Sequence, residues 1–275
     1  MHPIVSGLIA AYSMFCISAS AQWIDHRTPG IPRTKDGKPD LAAPAPRTRE
    51  GKPDLSGIWQ LARRQNPATA APEIIPDAGG DVRPGNNGLH NYLPDGATVP
   101  LQPWAQALYK QRVENLGIGL SSSRCLPHGL PGAMLIPIPF KIVQTPALTT
   151  ILFEEFNYYR QIFTDGRAHP SLLNPTWFGY SVGKWDKDTL VVDTVGFNDQ
   201  TWLDTSGYPH TEDLHTTERF VRRDFGHMDV LVTIDDPKAY TKPWSPTLHL
   251  ALMPDTELIE HICENERDGS HMVGK

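Results

Sequence analysis

The sequence predicts a mainly β protein: an antiparallel up-and-down barrel of about eight strands, preceded by a proline-rich strap and one short helix. Three observations carry that reading. From residue 148 onward the chain runs strand, turn, strand, with short polar breaks at Asp186-Lys187-Asp188, Gly226-His227 and Pro254-Asp255. Links that short force successive strands to lie antiparallel. Half-faces such as Val230/Val232/Ile234 and Leu248/Leu250/Leu252 alternate with polar residues, the pattern of a sheet wet on one side. Candidate strands fall at 148–156, 158–165, 178–185, 189–197, 215–223, 228–235, 246–252 and 257–264. A meander of that size closes into a barrel with room for side chains or one small ligand. A sandwich of two packed sheets is the rival.

The elements before the meander follow in order. The first 21 residues hold no Asp, Glu, Lys or Arg, carry the apolar run from Ile4 to Ile17, and end Ala19-Ser20-Ala21. This reads as a signal peptide at 1–21, too short to span a bilayer, so the mature chain is expected to be periplasmic or secreted with no membrane insertion. Cys125 and Cys263 then remain as a pair in an oxidising compartment, and a disulfide between them is expected, with two buried thiols as the alternative. Residues 22–54 read as a strap or tether. Within them Arg33-Thr34-Lys35-Asp36-Gly37-Lys38-Pro39-Asp40-Leu41 recurs as Arg47-Thr48-Arg49-Glu50-Gly51-Lys52-Pro53-Asp54-Leu55. Residues 55–275 read as one domain, opened by Leu55-Ser56-Gly57-Ile58-Trp59. Residues 62–100 are loop-like, and Trp104, Leu108, Val113 and Leu116 space a short helix. A turn-rich crossing follows at Ser121 to Gly132. The formal charge of −6, with no basic block, excludes a nucleic-acid partner and points to a small organic molecule.

The segment Pro209 to Phe220, PHTEDLHTTERF, concentrates histidines and acids before a strand. On that strand Leu214, Thr216, Glu218 and Phe220 share a face, and a carboxylate among apolar neighbours is costly unless paired. Arg219, Arg222 or a backbone amide would satisfy it structurally. The chemical reading makes His215 or His210 a general base and Glu218 an acid, with Asp204, Asp199 and Trp202 in the same stretch. Turn-capping is the alternative for both aspartates. Tyr158 and Arg160 share a face with Ile162 and could anchor a substrate oxyanion, whereas a surface Glu154–Arg160 pair would explain the same letters. His128 and Arg124 flank Cys125, and a disulfide there would carry His128 over the barrel rim. Trp202 would supply an aromatic wall.

The chain carries no Gly-x-Ser-x-Gly elbow, so the expected function is a lyase, isomerase or hydrolase using His/carboxylate acid–base chemistry. The alternative is a non-catalytic, lipocalin-like binder of a small apolar ligand. No cofactor is expected. His210 and His215 fall outside the helical spacing of zinc-binding pairs, and a divalent metal such as zinc on His210, His215 and His128 is the alternative.

Two resemblances attach to particular residues. Gly57-Ile58-Trp59, placed before a meander, resembles the first-strand Gly-x-Trp of lipocalin and calycin barrels, which implies a tryptophan closing one barrel end. The phrases DLSGIW, CLPHG, VVDTVGFND, HTEDLHTTERF and TIDDP resemble those of an uncharacterised family of secreted bacterial proteins. That likeness implies export and brings no activity, cofactor or catalytic residue with it.

Overall fold

The computed structural model describes residues 27–62, 88–115 and 117–263. The expected signal peptide, the start of the strap and Leu116 lie outside them. Nine strands close into one barrel in chain order: β1 Gly57–Leu61, β2 Phe140–Gln144, β3 Leu148–Phe153, β4 Tyr159–Phe163, β5 Tyr180–Asp186, β6 Thr189–Val195, β7 His215–Arg222, β8 His227–Asp235 and β9 Thr247–Leu252. β9 returns to pair with β1 through Trp59 and Leu252.

The expectation of a purely antiparallel meander is corrected at one seam. β4 and β5 run parallel, and only Ile162 and Phe163 pair there, with Ser181 and Val182. The cause is the connection between them: the chain from Phe163 to Tyr180 is long enough to return to the end it left, so the short-link rule does not govern it. Two strands lie outside the eight candidates counted, the first of them foreshadowed by its resemblance to a first-strand Gly-x-Trp. β1 is the Gly57-Ile58-Trp59 segment itself, and β2 is a five-residue strand lodged between prolines 139 and 146. The candidate at 257–264 is not a strand. It touches the sheet through one bridge, Glu155 to His261.

Period-two alternation explains the interior. β7 buries Thr216, Glu218, Phe220 and Arg222 and turns His215, Thr217, Arg219 and Val221 outward. Trp59, Phe140, Ile142, Ile151, Leu190, Val192, Phe220, Val230, Val232, Leu248 and Leu250 fill the centre as part of one apolar cluster. The barrel is therefore packed by its own side chains.

One ion pair sits inside that packing. Arg160 on β4 donates from Nη1 to Glu218 Oε1 at 3.0 Å and from Nη2 to Glu218 Oε2, and each side chain is 1% exposed. The same guanidinium donates to Ser181 on β5 and Thr194 on β6. A single side chain thus ties β4 to β5, β6 and β7 across the seam that has the fewest backbone pairs.

The strap closes the lower end. Its two sequence copies fold alike: Thr34 donates to Lys38 O and Asp40 to Pro32 O, and Thr48 donates to Lys52 O and Asp54 to Pro46 O. Each copy presents its arginine to a carboxylate near a barrel turn, Arg33 to Asp255 and Arg47 to Asp188. Phe225 and Gly226 donate to the carbonyls of Ala43 and Leu41. A side chain at Gly226 would come within 2.4 Å of Leu41 Cβ, so the strap can lie this close only over glycine. Arg222 packs over Trp59 at 4.9 Å and donates to the carbonyls of Asp54, Asp224 and Phe225, and burial lowers its pKa to about 10.

At the upper end helix α1, Pro103–Glu114, lies with the 196–214 and 236–246 segments as a lid. The expected apolar stripe is rotated. α1 buries Ala105 and part-buries Leu108, Tyr109 and Arg112, while Trp104 is exposed and donates to Lys238 O.

Candidate functional site at the disulfide rim

A cleft of about 350 Å³ opens on the upper rim, lined by Cys125, Phe156, Asn157, Tyr158, His261, Ile262 and Cys263. Three parts of the chain build it: the crossing after Ser121, the β3–β4 hairpin, and the segment after β9. The Cys125–Cys263 disulfide joins the first to the last. The hairpin is held by Phe153 N–H to Tyr158 O at 2.8 Å, and the last segment by Ile259 N–H to Glu154 Oε2 at 3.0 Å.

The backbone around this cleft is unusual. Cys125, Phe156 and Asn157 have φ of 59°, 55° and 58°, so three of the five non-glycine residues with positive φ among the described residues line one cleft. Asparagine tolerates that region, whereas a phenylalanine there is a steric outlier costing roughly 1–3 kcal/mol. The outcome is a ring held beside His261, 5.5 Å between centroids, and edge-on to Tyr158 at 6.3 Å.

Behind the cleft wall lies a buried pair. His128 Nε2 is 3.0 Å from Glu155 Oε1, with side chains 5% and 10% exposed. Gly129 places the turn: its φ is +69°, and a side chain there would meet Thr201 Oγ1 at 2.7 Å and Trp177 O at 3.0 Å. Tyr158 donates its hydroxyl to Cys125 O at 3.0 Å. Burial first, and then the charge of Glu155, raise the Tyr158 pKa, so its proton stays on. Burial likewise raises the Glu154 carboxyl above the ordinary range.

The expected residues distribute as follows. His128 and Tyr158 come together at the rim. Glu218 and Arg160 satisfy one another inside the barrel, so the partner of that carboxylate is neither Arg219 nor Arg222, and Arg160 does not pair with Glu154. His215 cannot meet Glu218, because three residues apart on a strand they occupy opposite faces. Its Nε2 lies 2.5 Å from Asp193 Oδ1 on the outer face, where His169 holds the other oxygen at 2.8 Å. Burial opposes ionisation of Asp193, yet the hydrogen bonds from His215 and His169 keep its pKa below the ordinary value.

His210 is buried in the lid. Its Nδ1 is 3.1 Å from Thr211 O and must carry the proton, so Nε2 accepts from the Thr201 hydroxyl at 2.7 Å. Burial lowers its pKa. Asp204 accepts from Leu89 N–H, Gly207 N–H and both donors of Ser206, which fixes the 204–207 turn, and burial raises its pKa. Trp202 packs under Arg112 at 4.4 Å, in the lid and away from the cleft. Asp199 is exposed.

Among the described residues no group of three or more His, Cys, Asp or Glu converges as metal ligands. His128, His210 and His215 instead face Glu155, Thr201 and Asp193, which separates the alternative zinc set.

The residues at the cleft that the sequence reading did not single out are Glu155, Phe156 and His261. Glu155 was visible only as one acid in a crowded hairpin. The left-handed phenylalanine left no compositional trace, and His261 fell in a segment read as strand.

Fold and site together define a closed, mixed nine-stranded barrel with a packed interior and a disulfide-framed cleft on its rim. Comparison of the chain with family models, curated proteins and solved structures returns no match.

Proposed function

We propose that this chain is an exported enzyme acting on a small organic molecule at the rim cleft by general acid–base chemistry, as a hydrolase, lyase or isomerase. The observation that carries the reading is the buried His128–Glu155 pair next to a cleft whose lining holds three of the five non-glycine residues with positive φ among the described residues. Strain of that kind persists where the surrounding fold enforces it and collects at sites of function. The carboxylate stabilises the cation that forms when the imidazole takes a proton. Tyr158, kept protonated, is the group able to donate to a developing oxyanion once its hydroxyl leaves Cys125 O. The CLPHG phrase supplies both Cys125 and His128, which ties the resemblance to secreted proteins to this rim.

The test is a turnover screen of the mature chain over aryl esters, lactones and β-elimination substrates, repeated with His128→Asn. General-base loss is expected to lower the rate on any substrate found by roughly 10²–10⁴-fold. A His128→Asn protein that retains full turnover overturns the assignment.

Binding without conversion is a second reading, favoured by one observation: the Tyr158 hydroxyl is already engaged within the protein, donating to Cys125 O. It too places the ligand in the cleft, since apolar side chains occupy the barrel interior.

A further inference from the structure

The walls of the cleft select a ligand class. We propose that it takes a neutral aromatic alcohol, a flat ring bearing an uncharged hydroxyl group. This rests on the cleft being the functional site.

Three rings face the space from one side. Phe156 lies 5.5 Å from His261 and 6.3 Å from Tyr158 between centroids, with the Phe156–Tyr158 planes at 80°. Edge-to-face and offset geometries of this kind accept a further ring. The Cys125–Cys263 disulfide also lines the cleft, and its polarisable sulfurs sit well against an aromatic edge. A cleft of about 350 Å³ is at the small end of ligand pockets, sized for a one- or two-ring molecule. The Phe156 backbone strain gains a purpose, since the left-handed φ of 55° sets the ring in this wall.

Charge is selected from behind. Glu154 and Glu155 both stand next to the hairpin wall, and Glu155 already acts on Tyr158. An arylcarboxylate would meet that field as a like charge. A phenolic hydroxyl would not, and the side-chain oxygen of Asn157, whose amide nitrogen donates to His261 O, lies in the lining to accept from it. Among the described residues no lysine or arginine lines the cleft to favour an anion.

The experiment is fluorine NMR on the full oxidised chain, with 4-fluorophenol and 4-fluorobenzoate as probes. Saturable broadening of 4-fluorophenol is expected, with 4-fluorobenzoate at least tenfold weaker. Phe156→Ala should weaken 4-fluorophenol by tenfold or more, and Val221→Ser, on the outer face of β7, should change nothing. Reduction of the disulfide by a dithiol, which supplies the two electrons and two protons and is itself oxidised, frees the His261 segment and should also weaken binding. Equal or tighter binding of 4-fluorobenzoate overturns the charge argument, and binding unmoved by Phe156→Ala overturns the location. Failure of both probes, with turnover still dependent on His128, removes the ligand class and leaves the site. Failure of both together with His128-independent turnover removes the site as well.

Discussion

At the scale of single residues, the chain separates groups that its sequence sets side by side. Glu218 and His215 are three positions apart, yet one is sealed in the core and the other lies on the outer wall. Glu218 and Arg160 stabilise each other only as a pair. Removing one partner leaves an unpaired charge in the core, so Glu218→Gln or Arg160→Met alone is expected to cost about 3–5 kcal/mol. The double change to methionines should recover most of that, and urea denaturation of the three variants checks it. A single variant as stable as the parent would contradict the buried-pair account. His210 gives a second expectation with a definite sign. Its folded pKa is below the ordinary 6.5, so its neutral state supports the fold above that value, and the support is lost as pH falls toward the folded pKa. Long-range proton–nitrogen spectra should show the Nδ1–H tautomer persisting at pH 6.5. A protonated His210 ring at that pH would refute the assignment.

At the scale of elements, legibility followed periodicity. β7, β8 and β9 were readable because their alternation is strict, and the β5–β6 and β7–β8 hairpins because their turns are short. β2 was not, because FKIVQ is too short and too evenly apolar to show a period between its prolines. The parallel β4–β5 seam was invisible for another reason: it depends on the path of the 164–179 connection, which carries no periodic signal. Glu218 was legible as a buried acid, but its partner lies 58 residues away, beyond any local pattern. The strap repeat was legible as a repeat and yielded its meaning only with the docking aspartates in view. Gly226→Ala should lift the strap from the barrel floor and cost about 1–3 kcal/mol by overpacking, read by denaturation and by proteolysis within residues 27–54. An unchanged cleavage pattern would show that the strap does not need that contact. The β3–β4 hairpin predicts the opposite balance. Phe156→Gly relieves a left-handed φ, so stability should hold or rise by about 1 kcal/mol while cleft function is lost. Loss of both would make Phe156 a packing residue only.

At the scale of the whole molecule, the barrel is a solid support and the chemistry is assigned to its rim. Apolar side chains and one ion pair fill the barrel and a double-clasped strap closes its lower end, while the disulfide ties two remote pieces of chain together beside the β3–β4 hairpin at the cleft. This division explains why histidines gathered in the sequence at 210 and 215 diverge in space, and why the rim pair is drawn from residues 128 and 155. The most direct measurement is the kcat/KM of Glu155→Gln beside that of Glu218→Gln, on the first substrate that the turnover screen yields, at a temperature where both remain folded. The account predicts that folded Glu155→Gln loses about 10²-fold or more in turnover, and that Glu218→Gln loses stability while its folded fraction keeps its turnover. Full activity in Glu155→Gln, or activity abolished by Glu218→Gln in a protein that is still folded, would place the chemistry inside the barrel and contradict it.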